Sequence, residues 1–170
     1  MTALYVFCGL PGSGKTTLSR RLAGHLGATY LRIDTIESGL ITSTLALTDV
    51  MDAGYSVAWG LATDALALGK PVVADAVHWN AALLDPWSRI ASAEGAPCHL
   101  IEVTCALPDR QARLAARHAS GWKAGEDWQA VLSKTMDPIP DPAIRVDTTN
   151  TEEHATFATL LAELQQVGAT

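Results

Sequence analysis

Gly9-Leu10-Pro11-Gly12-Ser13-Gly14-Lys15-Thr16 sets two glycines, a lysine and a hydroxyl at the spacing G-x-x-x-x-G-K-[ST]. That spacing suits the phosphates of a nucleoside triphosphate. The glycines let backbone N–H groups converge on phosphate oxygens, Lys15 reaches the β and γ phosphates, and the Thr16 hydroxyl ligates Mg2+. Gly9, Gly12, Ser13, Gly14, Lys15, Thr16 and Thr17 are the candidate nucleotide contacts. Two carboxylates stand at the ends of apolar runs, Asp34 after Leu31-Arg32-Ile33 and Asp75 after Val72-Val73-Ala74. Asp75 is placed like a Walker-B carboxylate that holds Mg2+ with Thr16, and a turn or cap is its competing reading. Ala76 follows it, whereas motor ATPases usually carry a water-activating Glu there. Arg110, Arg113 and Arg117 fall at i, i+3 and i+7 on one helix face, and Trp122 and Lys123 follow in a Gly-flanked loop. Like charges on one face repel, and a transferring phosphoryl group is a reason to tolerate them. A solvated face is the plain alternative.

The elements that must position these residues alternate regularly. The run 3–8 is β-branched and aromatic, and 16–26 has Leu18, Leu22 and Leu26 at helical spacing. A second strand is expected over 29–33, with Asp34 or Thr35 capping a helix from about Ile36. Helix 51–68, strand 72–74, a helix from the cap Asn80 to about Gly95, strand 98–105 and helix 108–118 follow. A short helix over 126–134 precedes a stretch where Pro138, Pro140 and Pro142 exclude regular helix. Strand 143–146 and helix 151–167 close the chain. Such βαβ alternation implies a parallel sheet with helices on both faces and ligands at the carboxyl ends of the strands.

With this layout, GLPGSGKTTLSRRLA resembles the phosphate loop of the small-molecule and nucleoside kinase-like P-loop proteins. These include chloramphenicol phosphotransferase, gluconate kinase, adenylylsulfate kinase and the kinase domain of polynucleotide kinase, and the whole chain fits their layout. The resemblance implies a three-layer α/β/α P-loop NTPase fold of nucleoside-kinase type, with a five-stranded parallel sheet and an Arg-containing lid. It would be a single domain over 1–170 with the lid at about 108–135. In those families an Asp just after the second strand orients or deprotonates the acceptor hydroxyl, which assigns that role to Asp34; a helix cap is its other reading. A lid in that place makes Arg113 and Arg117, with Lys15, the groups that stabilise phosphoryl charge. Relatives contact the adenine at the place of Asp147-Thr148-Thr149-Asn150, so Thr149 joins the nucleotide contacts.

Many relatives also carry a basic residue close behind this Asp to help bind the acceptor, and Asp34-Thr35-Ile36-Glu37 departs from that. Glu37, one helical turn on, is a secondary candidate against an ordinary first-turn Glu. From Tyr30 to Pro97 three basic residues, Arg32, Lys70 and Arg89, face eight acidic ones. A phosphorylated acceptor needs bidentate cations, so a neutral or cationic hydroxyl acceptor such as a nucleoside, sugar or antibiotic is expected. Tyr55, Asp75, His78 and Trp79 are candidate walls of its pocket, and Gly54-Tyr55 a candidate flap, while Trp59 reads as packing. The rival readings are a nucleotide or adenylylsulfate kinase and, in another class, an ATP-binding switch without an acceptor.

Composition bounds the rest. The chain has 170 residues, 48% of them hydrophobic, which is one globular domain with a full core. A formal charge of −6 supplies no footprint for nucleic acid or an anionic membrane. Cys8, Cys98 and Cys105 form no CxxC pair and read as reduced core residues. The N-terminal apolar run lacks a basic flank and breaks at glycine and proline, so neither export nor insertion is expected. The expected setting is a cytoplasmic monomer or homodimer using ATP and Mg2+.

Overall fold

The computed structural model describes residues 2–45, 47–120, 128–141 and 143–169. Five strands, β1 (Leu4–Cys8), β2 (Thr29–Arg32), β3 (Val72–Asp75), β4 (Cys98–Thr104) and β5 (Ala143–Asp147), form one parallel sheet in the order β2-β3-β1-β4-β5. The helices are α1 (Lys15–Leu26), α2 (Ile33–Ile41), α3 (Ala53–Ala67), α4 (Ala81–Ala93), α5 (Leu107–Ala119), α6 (Trp128–Leu132) and α7 (Glu153–Gln166). This is a three-layer α/β/α domain. β1 is central, and all five of its residues are buried because helices cover both faces of the sheet.

Leu4, Val6 and Cys8 face a core built with Ala58 and Ala62 of α3 and Leu84 and Trp87 of α4. Tyr5 and Phe7 face the opposite core, with Leu18 and Leu22 of α1 and Leu160 and Leu164 of α7. Among the described residues the predicted alternation appears element for element, with ends displaced by one to three residues. Asn80 caps α4 as expected, its side chain accepting from Leu83 N at 3.2 Å. α1 opens from Gly14 at φ +92 and closes at Gly27, both left-handed.

One boundary moves a functional residue. Among the described residues β2 pairs only with β3, and its ladder ends where Arg32 lies opposite Asp75, so Ile33 begins α2 instead of ending the strand. Arg32 occupies the cap position without a side-chain cap bond, and Asp34 lies inside the first turn. The capping role expected of Asp34 or Thr35 is therefore not found. Met136 and Ile139 pack on the face covered by α3 and α4, and Asp137 N donates to Trp79 O at 2.9 Å. Cys8, Cys98 and Cys105 are free thiols; Cys8 is buried in the core, Cys98 is half-buried against that core, and Cys105 is half-buried. Among the described residues no helix is long and apolar enough to cross a membrane. Trp122, Lys123 and the start of the predicted helix at Glu126 lie outside the described residues.

Candidate active site

The loop between β1 and α1 is gripped from behind. At Gly9, with φ +151, a Cβ would lie 2.5 Å from the Val103 carbonyl oxygen, so only glycine lets the chain turn this close to β4. Arg110 Nε donates to Pro11 O at 3.1 Å, Arg113 Nη1 to Gly12 O at 3.4 Å, and Thr148 Oγ1 to Ser13 O at 2.8 Å. Arg113 also donates to Thr148 Oγ1 and to Thr148 O, both at 2.8 Å. In a trans peptide the carbonyl of one residue opposes the N–H of the next. Holding three successive carbonyls on one side leaves the amides of Gly12 and Gly14 for the other, while the Ser13 amide donates to Leu10 O at 3.1 Å. With the start of α1 this makes a concave, electropositive seat for an anion.

Arg110 and Arg113 are thus loop anchors, which the i, i+3, i+7 spacing alone did not reveal. Arg110 is 6% exposed, although one of its nitrogens, Nη2, lacks a hydrogen-bond partner. Arg117 stays exposed and adds to the positive field felt by Lys15.

Lys15 is 9% exposed at the first position of α1. Burial pulls its ammonium below the ordinary lysine value; the carboxylates of Asp75 and Asp34 oppose that shift, and Arg32 and Arg117 add to it. Thr16 is half-buried beside it, and Thr17 is exposed. Asp75, at the end of β3, is 2% exposed. Its Oδ2 accepts from Tyr30 Oη at 2.8 Å and lies 3.9 Å from Arg32 Nε, while its buried Oδ1 has no hydrogen-bond partner. Arg32 Nη2 donates to Asp34 Oδ2 at 2.7 Å, and the Asp34 side chain is 56% exposed. Tyr30 and Arg32 were not among the sequence candidates. Their alternation along β2 was visible, but the partner at Asp75 arrives only through the parallel pairing.

Glu37 is half-buried one turn beyond Asp34, and burial, with the Asp34 charge behind it, pushes its carboxyl above the usual range. Gly54 abuts it so closely that a Cβ would lie 2.5 Å from Glu37 Cγ. Gly54 and Tyr55 are buried, so the start of α3 is packed against α2 rather than presented as a flap.

The expected aromatic walls divide. His78 is 1% exposed and Tyr55 6%; His78 Nε2 accepts from Trp87 Nε1 at 2.8 Å, and Tyr55 Oη accepts from His78 N at 3.3 Å. Both are buried here, His78 against Trp87 and Tyr55 against His78, and the Tyr55 hydroxyl feels the charges of Glu37 and Asp34. Trp79 is half-buried on the β3–α4 loop with Lys134 Nζ 5.3 Å from its ring centre. Trp59 packs edge-on against Trp87, as its apolar setting predicts.

A cavity of about 220 Å3 lies beside the loop, lined by Gly14, Thr17, Arg113, Thr148 and Thr151 among others. Thr149 does not line it. Its hydroxyl instead donates to Asp147 Oδ1 at 2.6 Å and accepts from Ala106 N at 2.8 Å, closing the turn after β5. A second cavity of about 360 Å3 opens at the ends of β1 and β4, between Leu10, Ser13, Arg110 and Met136. Asp34 lines neither cavity.

A family model described as an AAA domain matches residues 4–137. Among solved structures, a protein of Chloroflexus aurantiacus assigned as a kinase shares 20% identity at a TM-score of 0.76, over 97% of both chains. A gluconokinase from Sinorhizobium meliloti shares 17% at 0.70, over 97% of this chain and 93% of its own. The Mycobacterium tuberculosis APS kinase CysC, solved with AMPPNP and APS, shares 17% at 0.65, over 96% of this chain and 98% of its own. These identities speak to fold, and the fold is that of the P-loop kinases. No curated protein matches the sequence.

Proposed function

This chain belongs to the AAA domain family and has a kinase-like P-loop fold, and we propose that it transfers the γ-phosphoryl group of ATP to a hydroxyl of a small, neutral or cationic molecule. One observation carries the reading. The loop after β1, its carbonyls held by Arg110, Arg113 and Thr148, leads into the buried Lys15 at the start of α1, and the buried Asp75 at the end of β3 keeps one carboxylate oxygen without a hydrogen-bond partner.

In this reading the inward amides of Gly12 and Gly14 and the ammonium of Lys15 hold the phosphates, while Thr17, Arg113, Thr148 and Thr151 border the nucleoside side. The donors match Mg2+, which takes one or two protein oxygens together with phosphates: Asp75 keeps one carboxylate oxygen without a partner, and Thr16 brings a hydroxyl. Bound there, Mg2+ would neutralise charge on the β and γ oxygens. Asp34, pinned by Arg32 but open to solvent, aims the acceptor hydroxyl and takes its proton. The acceptor oxygen bonds to the γ phosphorus as the bond to the β–γ bridging oxygen breaks, and ADP leaves. Lys15 and Arg117 stabilise the charge on the moving group. In the expected lid over about 108–135, of which residues 121–127 lie outside the described residues, α5 supplies the arginines, and Glu37 and Trp79 flank the acceptor side.

Arg32 bears on the acceptor class. It is the cation nearest Asp34, and its pairing with Asp34 and approach to Asp75 leave it committed rather than offered to an acceptor phosphate. Nucleosides, sugars and hydroxylated antibiotics fit this side better than nucleotides or adenylylsulfate. The test is incubation with Mg2+-ATP and pooled compounds of these classes, read by mass spectrometry for the gain of one phosphoryl group. Asp34→Asn should lower turnover by 10² or more while ADP affinity holds. Nucleotide binding with no product from any pool, or full turnover in Asp34→Asn, would overturn the reading, the former in favour of an ATP-binding switch.

A further inference from the structure

Tyr30 is the second residue of β2 and plays no part in the reading above, which concerns Lys15, Thr16, Asp34 and Asp75. Its hydroxyl nonetheless contacts both Asp75 and Ser19. It donates to Asp75 Oδ2 at 2.8 Å, and the same oxygen lies 3.4 Å from Ser19 Oγ, which donates to Thr16 O at 3.2 Å. Ser19 is fully buried, and Tyr30 is half-buried over it. The phenol therefore bridges the first turn of α1, where Thr16 sits, to the end of β3, where Asp75 sits.

The two oxygens of Asp75 are not equivalent. Oδ2 is occupied by Tyr30 and faces Arg32 Nε at 3.9 Å, whereas Oδ1 is buried without a partner. A carboxylate turns readily about its last torsion, and a hydrogen bond to one oxygen is what stops it. We propose that Tyr30 is a positioning residue of the metal site, tying down Asp75 Oδ2 so that Oδ1 is the oxygen presented to Mg2+ or its water, with Ser19 bracing the phenol against Thr16. This rests on the reading of Asp75 and Thr16 as the metal-holding pair.

The test uses the full chain and reads binding rather than turnover. ADP affinity is titrated calorimetrically with Mg2+ and again in EDTA, and Mn2+ bound with ADP is followed by electron paramagnetic resonance. Tyr30→Phe keeps the ring volume, and Asp75→Asn serves as reference. In Tyr30→Phe the EDTA affinity should be unchanged, the gain from Mg2+ should fall about tenfold, and Mn2+ in the ternary complex should bind about tenfold more weakly, the scale of one hydrogen bond to a charged group. If Asp75→Asn loses the metal effect and Tyr30→Phe keeps it in full, the positioning role is overturned while the metal site stands. If neither variant changes it, the assignment of Asp75 itself falls. Should Tyr30→Phe not fold, Ser19→Ala carries the test, and an undiminished gain from Mg2+ there overturns the proposal.

Discussion

His78 shows how much a single side chain can differ from its apparent role. It follows a strand-end carboxylate and stands beside Trp79, which is where an acceptor pocket would need a polar ring. Its backbone is left-handed at φ +56, and this turns the imidazole inward between Tyr55 and Trp87. Burial pushes its pKa down to about 3, against the backbone of Ala76 and Phe7, and Lys15 adds slightly to the fall. The unfolded chain, with an ordinary histidine near 6.5, then takes up the proton first. Stability from this group is complete above about pH 6.5 and is lost as pH falls toward 3, with a slope approaching about 1.4 kcal/mol per pH unit. Urea unfolding followed from pH 7 to pH 4 should show that decline, and His78→Asn, which tolerates the left-handed backbone, should show a flatter one. An identical slope in both proteins would remove His78 as its source.

At the scale of elements, α5 does more than cover a phosphate site. Its first two arginines hold the carbonyls of the loop, and Arg113 also clasps Thr148 through two nitrogens. A residue acting only in a closing lid would leave the protein without nucleotide as stable as before. Arg113→Ala should instead cost about 1.5–3 kcal/mol in urea unfolding of the nucleotide-free protein and weaken ADP binding with it. Arg113→Lys should rescue little, because an ammonium cannot reproduce the forked contact with Thr148. Unchanged stability in Arg113→Ala would return Arg113 to the lid alone. The helical periodicity of α5 was legible, since 110, 113 and 117 must share a face. What that face meets was not, because Pro11 and Gly12 lie about a hundred residues away in the chain. The same limit hid Tyr30 and Arg32 on β2, whose role exists only through the register with β3.

Across the whole molecule the three tyrosines behave alike for separate reasons. Tyr5 is buried in the core around α1 and α7 and donates to Ala169 O, Tyr55 is buried against α4, and Tyr30 is held at Asp75. Burial raises all three, with Asp75 contributing at Tyr30 and Glu37 at Tyr55. A folded pKa above the unfolded one gives stability that is complete below pH 10 and is lost as pH rises past it. An ultraviolet titration should therefore show less phenolate at pH 10 in the native protein than in the urea-unfolded chain, which is half ionised there. A native tyrosine titrating at 10 would mean that one of these contacts is open in solution.

The pattern from Gly9 to Thr16, the strand and helix alternation, and the parallel three-layer architecture were determined by the sequence alone. Each depends on residues a few positions apart, where backbone geometry and hydrophobic period act directly. The strand order, the anchoring of the loop by Arg110, Arg113 and Thr148, the brace of Tyr30 on Asp75 and the removal of His78 to the core were decided only by the tertiary structure. Those contacts join residues far apart in the chain. Which polar group meets which is set there by register and by the space that packing leaves, and neither is written in any local spacing.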